Sequence, residues 1–151
     1  MSLVVVSRAV YLSLLFLHFL GIALGVGTGF AQFTLGLAAR DLSPEERVKF
    51  SLRAAALSKN GSIGLLLLLA SGIGMTAMRG VGATFAWGGG AFHLKLTLTV
   101  IFIGVFGYLQ VLLKRAKREG GGPAMAKLPK IARVMLVLSV AIVLSAVVAF
   151  K

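Results

Sequence analysis

The chain is 151 residues long, 58% hydrophobic before its 19 glycines are counted, and only 13% charged; soluble domains carry about 45–50% apolar residues with glycine included, and about 25% charged ones. One core in a chain this short cannot hide that much apolar surface, which excludes a water-soluble globule and points to lipid as the solvent. The formal net charge of +12, from 16 Lys and Arg against 4 Asp and Glu, would suggest nucleic acid in a soluble protein, so the positions of those cations decide its meaning.

Four long runs carry no formal charge: 31 residues between Arg8 and Arg40, 19 between Lys59 and Arg79, 18 between Lys95 and Lys114, and 17 between Arg133 and Lys151. As helices they reach roughly 25–46 Å, against a hydrocarbon core of about 30 Å. The spacing predicts an all-α integral membrane four-helix bundle in one domain, with helices over about 6–39, 44–79 (crossing the membrane from about 58), 90–118 and 129–150. The first run is too long for the apolar region of a signal peptide and is read as a retained helix.

Turn chemistry sets the boundaries. In Asp41-Leu42-Ser43-Pro44-Glu45-Glu46 a serine N-cap precedes proline at the first helical position, with acids in the first turn, so the second helix starts at Pro44. Its first turns alternate Val48, Leu52 and Ala55 with Arg47, Lys49 and Arg53, a pattern suited to the headgroup layer. Gly80 to Gly90 reads as a flexible turn with Trp87 as an interfacial anchor, and its glycines do not follow a phosphate-binding spacing. Gly120-Gly121-Gly122-Pro123 separates the third helix from the fourth.

The cations divide unevenly. Arg40, Arg47, Lys49, Arg53 and Lys59 lie in the first connection, and Lys114, Arg115, Lys117, Arg118, Lys127, Lys130 and Arg133 in the third. Only Arg8, Arg79, Lys95 and Lys151 remain for the other side. The positive-inside rule therefore places both termini and the 80–90 segment outside the cytoplasm, in what reads as a bacterial inner membrane. Anionic headgroups account for the basic clusters, and no nucleic-acid motif accompanies them.

Other chemistry is excluded by composition. There is no cysteine, which removes disulfides, thiolate metal sites, iron–sulfur clusters and cysteine nucleophiles. The four acids, Asp41, Glu45, Glu46 and Glu119, all belong to the basic connections, so no embedded carboxylate is left for a proton or Na⁺ relay, a glycosidase pair or a catalytic triad.

The polar residues left inside the apolar runs are His18, His93 and Lys95, with Gln32, Thr97, Thr99 and Gln110. Ionisable groups at such depth are expensive and mark functional positions. His18 lies 22 residues before Arg40 and His93 lies 21 before Lys114, so on helices running the same way both imidazoles stand roughly 32 Å from the basic boundary. Two level imidazoles are where the axial ligands of a haem iron would be. Gly21, Gly25 and Gly29 repeat every fourth residue below His18, a face that serves either close helix packing or a flat macrocycle. In the third helix His93, Thr97, Val100, Gly104, Gly107 and Val111 share a face, which suggests a parallel repeat of two hairpins. Lys95 is about 200° around the helix from His93, so the two cannot aim at one centre without distortion, and snorkelling to the interface is its alternative role. For the histidines the alternatives are interhelical hydrogen bonds, or copper or zinc binding without thiol or carboxylate co-ligands.

Leu14-Leu15-Phe16-Leu17-His18 and Phe92-His93-Leu94-Lys95-Leu96 resemble segments of a superfamily of small four-helix membrane proteins that includes the HemJ-type protoporphyrinogen oxidases and CopD-like domains. The resemblance implies b-type haem with His18 and Lys95 in the roles of the family's histidine and lysine, and His93 matching its other histidine. Gln32-Phe33-Thr34-Leu35 stands where HemJ-type proteins carry arginine and histidine, so haem binding carries over better than oxidase activity. The expected function is a haem b-binding membrane redox protein, with cofactor contacts at His18, His93, Lys95, Gly21 and Gly25 and iron ligation by His18 and His93. The alternative is a cofactor-free subunit packing as a homo-oligomer or in a larger membrane complex.

Overall fold

A computed structural model describes residues 3–149, with side chains from Ser7 onward. The expected reach of the last helix to residue 150, and Lys151, lie outside the described residues. The protein is an all-α four-helix membrane bundle. Its elements are α1 (Leu3–Ala38), α2 (Pro44–Ala54), α3 (Ser58–Arg79), α4 (Val81–Arg118) and α5 (Gly122–Ala149), with short 3-10 turns at Ala39–Asp41 and Ala55–Leu57. α2 and α3 form one bent rod, so four rods are long and apolar enough to cross a membrane. Large apolar side chains such as Phe16, Leu66, Ile73 and Val137 point outward, each at least 67% exposed, as a lipid-facing surface demands.

The connection between α1 and α2 is built from caps. Ser43 Oγ accepts from the Glu46 backbone N–H, while the Glu46 carboxylate accepts from the Ser43 backbone N–H at 3.1 Å, and Pro44 opens the helix. Arg47 reaches back to the end of α1, donating from Nε to the Ala39 carbonyl at 3.0 Å and from Nη2 to those of Arg40 and Leu42 at 2.6 and 3.3 Å. A cation is thereby set on the negative end of the α1 dipole.

Two segments differ from the sequence expectation. The stretch after Gly80 is a helical turn rather than a flexible loop: Val81–Gly88 is helical and continues, across a kink at Gly89, into the rest of α4. Gly80 (φ +90°) and Gly89 (φ +51°) bracket it in conformations that side chains resist. Thr84 Oγ1 donates to the Gly80 carbonyl at 2.9 Å, the Arg79 guanidinium lies 3.9 Å over the Trp87 ring, and Phe85 packs edge-on against Phe92. The last helix likewise begins at Gly122 instead of about 129, with Pro129 inside it. Ala124, Met125, Leu128 and Ile131 repeat at helical spacing and pack on Leu112 and Ala116 of α4. That burial overrides the hydrogen bond Pro129 cannot donate.

α1 packs chiefly on α3 and α4 chiefly on α5; α1 against α5 joins the two pairs, while α3 and α4 touch only sparingly. The bundle is thus two antiparallel pairs with a looser α3–α4 side.

Candidate functional site

The site begins with the crossing of α1 and α3. A Cβ on Gly21 would stand 2.8 Å from Leu68 Cγ and 2.9 Å from the Gly64 carbonyl oxygen, and one on Gly64 would stand 2.7 Å from the Gly25 nitrogen. Only glycine permits that approach, and it brings the two backbones into contact. Gly29, a turn further along, faces Leu136 of α5. The glycine face is therefore closed by neighbouring helices at Gly21 and Gly29, while a Cβ on Gly25 would meet only Leu68 Cδ1, at 4.0 Å.

One turn before Gly21 the same crossing delivers His18 to α3. Its Nδ1 lies 2.9 Å from Ser71 Oγ, and its ring lies over Gly72, where a Cβ would meet Cε1 at 3.7 Å. Ser71 is 1% exposed, and its hydroxyl donates to the Leu67 carbonyl. A hydroxyl has one proton, so its oxygen accepts at His18: this hydrogen-bond network assigns the proton to Nδ1 and makes Nε2 the unprotonated nitrogen. Lys95, on α4, is likewise partly buried. The interior contact is thus His18 with Ser71, and Lys95 is the other partly buried ionisable group of the apolar runs.

His93 is not in it. Its ring is exposed and packs edge-on against Phe85, with centroids 5.0 Å apart. Thr97, Val100, Gly104, Gly107 and Val111, on the same face, are exposed as well. The reason is angular: His93 and Lys95 stand about 200° apart, so with Lys95 partly buried His93 is left on the exposed side. Among the described residues no hydrogen bond or ring contact joins the two histidines, and no three His, Cys, Asp or Glu side chains converge as a metal site would need. The two histidines expected to stand level are thus set differently, His18 partly buried against α3 and His93 exposed.

The other polar residues serve the scaffold. Thr97 and Thr99 donate to the carbonyls of His93 and Lys95 at 3.0 and 2.8 Å, and Gln32 Nε2 donates to the Ala54 carbonyl at 2.8 Å, tying α1 to the end of α2. Gln110 Nε2 is buried without a hydrogen-bond partner among the described residues.

Comparison with family models, with characterised proteins and with solved structures found no match. Function is therefore argued from the site itself. Sequence reasoning singled out His18 and Lys95 as ionisable groups in apolar runs, but missed Ser71, Gly64 and Gly72. Ser71-Gly72 inside the otherwise greasy α3 was the available signal.

Proposed function

We propose that the protein is a haem b-binding, multi-pass protein of a bacterial plasma membrane, with His18 as iron ligand and Lys95 as the second. The observation that carries this reading is the state of the His18 ring, whose Nδ1 is committed to Ser71 while Nε2 is left for a ligand. Metal-ligating imidazoles are held in this way, with the far nitrogen donating to an oxygen that fixes tautomer and ring plane. Bound haem would supply one-electron chemistry, directed to membrane electron transfer or to oxidation of a porphyrin-like substrate. The chain's own contribution is threefold: Ser71 orients the ring, Gly72 packs against it, and Lys95, as a neutral amine, would offer a second lone pair. Gly21, closed off by Leu68 and Gly64, does not fit as a cofactor contact, and the exposed His93 is the weaker second ligand.

By the positive-inside rule the two basic connections lie in the cytoplasm and meet anionic headgroups, and both termini lie outside. The absorption spectrum of the purified protein, oxidised and reduced, after expression with ample haem, tests the cofactor. A Soret band is expected that His18→Ala largely abolishes and His93→Ala leaves in place. A colourless protein, or unchanged haem occupancy in His18→Ala, rejects the assignment.

A second reading, a cofactor-free subunit of an oligomer or larger membrane complex, draws on the outward His93 and Thr97. Polar groups on a lipid-facing helix gain from a partner helix. This reading predicts colourless protein that co-purifies as an oligomer or with partner chains, and loses them in His93→Leu.

A further inference from the structure

The two basic connections look alike in sequence and differ in how their charges are used. In the first, Arg47 is spent on three backbone carbonyls and Lys49 is paired with Glu45 at 2.6 Å. Five cations there face three acids, Asp41, Glu45 and Glu46. In the second, seven cations face Glu119 alone, and Glu119 lies 3.7 Å from Arg115 and against Gly122 at the start of α5. Among the described residues Lys114, Lys117, Arg118, Lys127, Lys130 and Arg133 have no ion-pair partner. The surplus charge of the molecule is therefore concentrated where α4 meets α5.

That region is concave. One groove is lined by Val111, Lys114, Arg115, Lys117, Arg118 and Glu119. It shares Arg115 and Glu119 with a crevice also lined by Leu112, Pro123, Ala124 and Lys127. At 100° per residue Lys114, Arg115 and Arg118 fall on the same face of α4 as Val100, Gly104, Gly107 and Val111. All seven are exposed. A Cβ on Gly104 or Gly107 would meet nothing within 4 Å. Beyond the cationic groove the same exposed face runs from Val111 to Val100 with only glycine at 104 and 107, about 16 Å along the helix, or half the hydrocarbon core.

We propose that this face of α4 seats one anionic phospholipid, its phosphate held by Lys114, Arg115 and Arg118 and one acyl chain lying over Gly107 and Gly104. Charge decides the occupant. A second copy of the chain packed in parallel on this face would set Lys114, Arg115 and Arg118 against their own counterparts, whereas a phosphodiester neutralises them. The chemistry recognised is phosphate beside an alkyl chain, and the site is independent of haem at His18.

Native mass spectrometry of the full chain in detergent tests it, with phosphatidylglycerol, phosphatidylcholine and inorganic phosphate as separate probes. A one-to-one phosphatidylglycerol adduct is expected, favoured over phosphatidylcholine and undisturbed by inorganic phosphate. Lys114→Gln with Arg118→Gln should weaken it about thirtyfold, from the attraction two cations exert at a membrane surface. Gly104→Leu with Gly107→Leu should also weaken it while leaving every charge in place; both side chains enter open space, and the monomer peak checks their folding. Equal retention of the two lipids, displacement by inorganic phosphate, or indifference to the glycine variants would overturn the proposal. A dimer that Gly107→Leu dissolves would overturn it too, by giving the face to a second copy.

Discussion

Ser71 donates its only proton to the Leu67 carbonyl and accepts the one on His18 Nδ1. Ser71→Ala strips the imidazole of that acceptor inside an apolar bundle and should cost about 1 kcal/mol or more. Thermal unfolding in detergent measures the cost, and ¹⁵N shifts of the ring should change from one tautomer to a mixture. Neither effect is expected from Ser62→Ala, whose exposed hydroxyl only back-bonds to Ser58. At the basic end the Ser43 hydroxyl and backbone N–H hold the Glu46 carboxyl below its ordinary value of 4.5. A lowered value in the folded protein means the cap stabilises α2 above the ordinary carboxylate range and is lost as pH falls through the lowered value. Carbon-13 titration of Glu46 should show a midpoint below 4.5, and Ser43→Ala should move it upward. Both positions differ in how legible they were. The capping box is local, its partners three residues apart, so the sequence displays it. The partner of His18 is 53 residues away, and a serine in an apolar helix gives no sign of what it meets.

The elements show the same divide. α1 and α3 approach until backbone touches backbone at Gly21, Gly25 and Gly64. Gly64→Ala places a methyl 2.7 Å from the Gly25 nitrogen and 2.9 Å from the Gly21 carbonyl oxygen, where no flexible side chain can yield. Separation of the helices should cost about 1–3 kcal/mol and loosen the His18–Ser71 contact. Gly104→Ala, with open space around it, should be neutral or slightly stabilising because alanine favours helix. Equal melting temperatures for the two variants would contradict the crossing. Repeating glycines announced a close contact in the sequence, yet not with which helix. The helical segments at Val81–Gly88 and Gly122–Leu128 were hidden behind glycine and proline, residues that mark breaks locally. Each is helical because of what it packs on: Trp87 under Arg79, and Met125 and Leu128 on α4.

For the whole molecule, charge spacing was sufficient to count four spans, because a membrane admits only long apolar helices and moves the cations to their ends. The natural absence of cysteine makes the arrangement directly testable. Single cysteines at Gly120 and at Gly82 should be labelled from opposite sides by a membrane-impermeant maleimide in intact cells, with Gly82→Cys reacting and Gly120→Cys protected until lysis. Labelling of both from outside would overturn the orientation. The fold class, the span count and the two basic connections follow from the sequence alone, since solvent polarity acts on each residue in turn. The rotation of each helix about its axis does not, because the apolar runs are greasy on every side and hold no single stripe to aim inward. Packing settled that rotation: contact between Gly64 and Gly25 aimed His18 at Ser71, and partial burial of Lys95 left His93 facing outward.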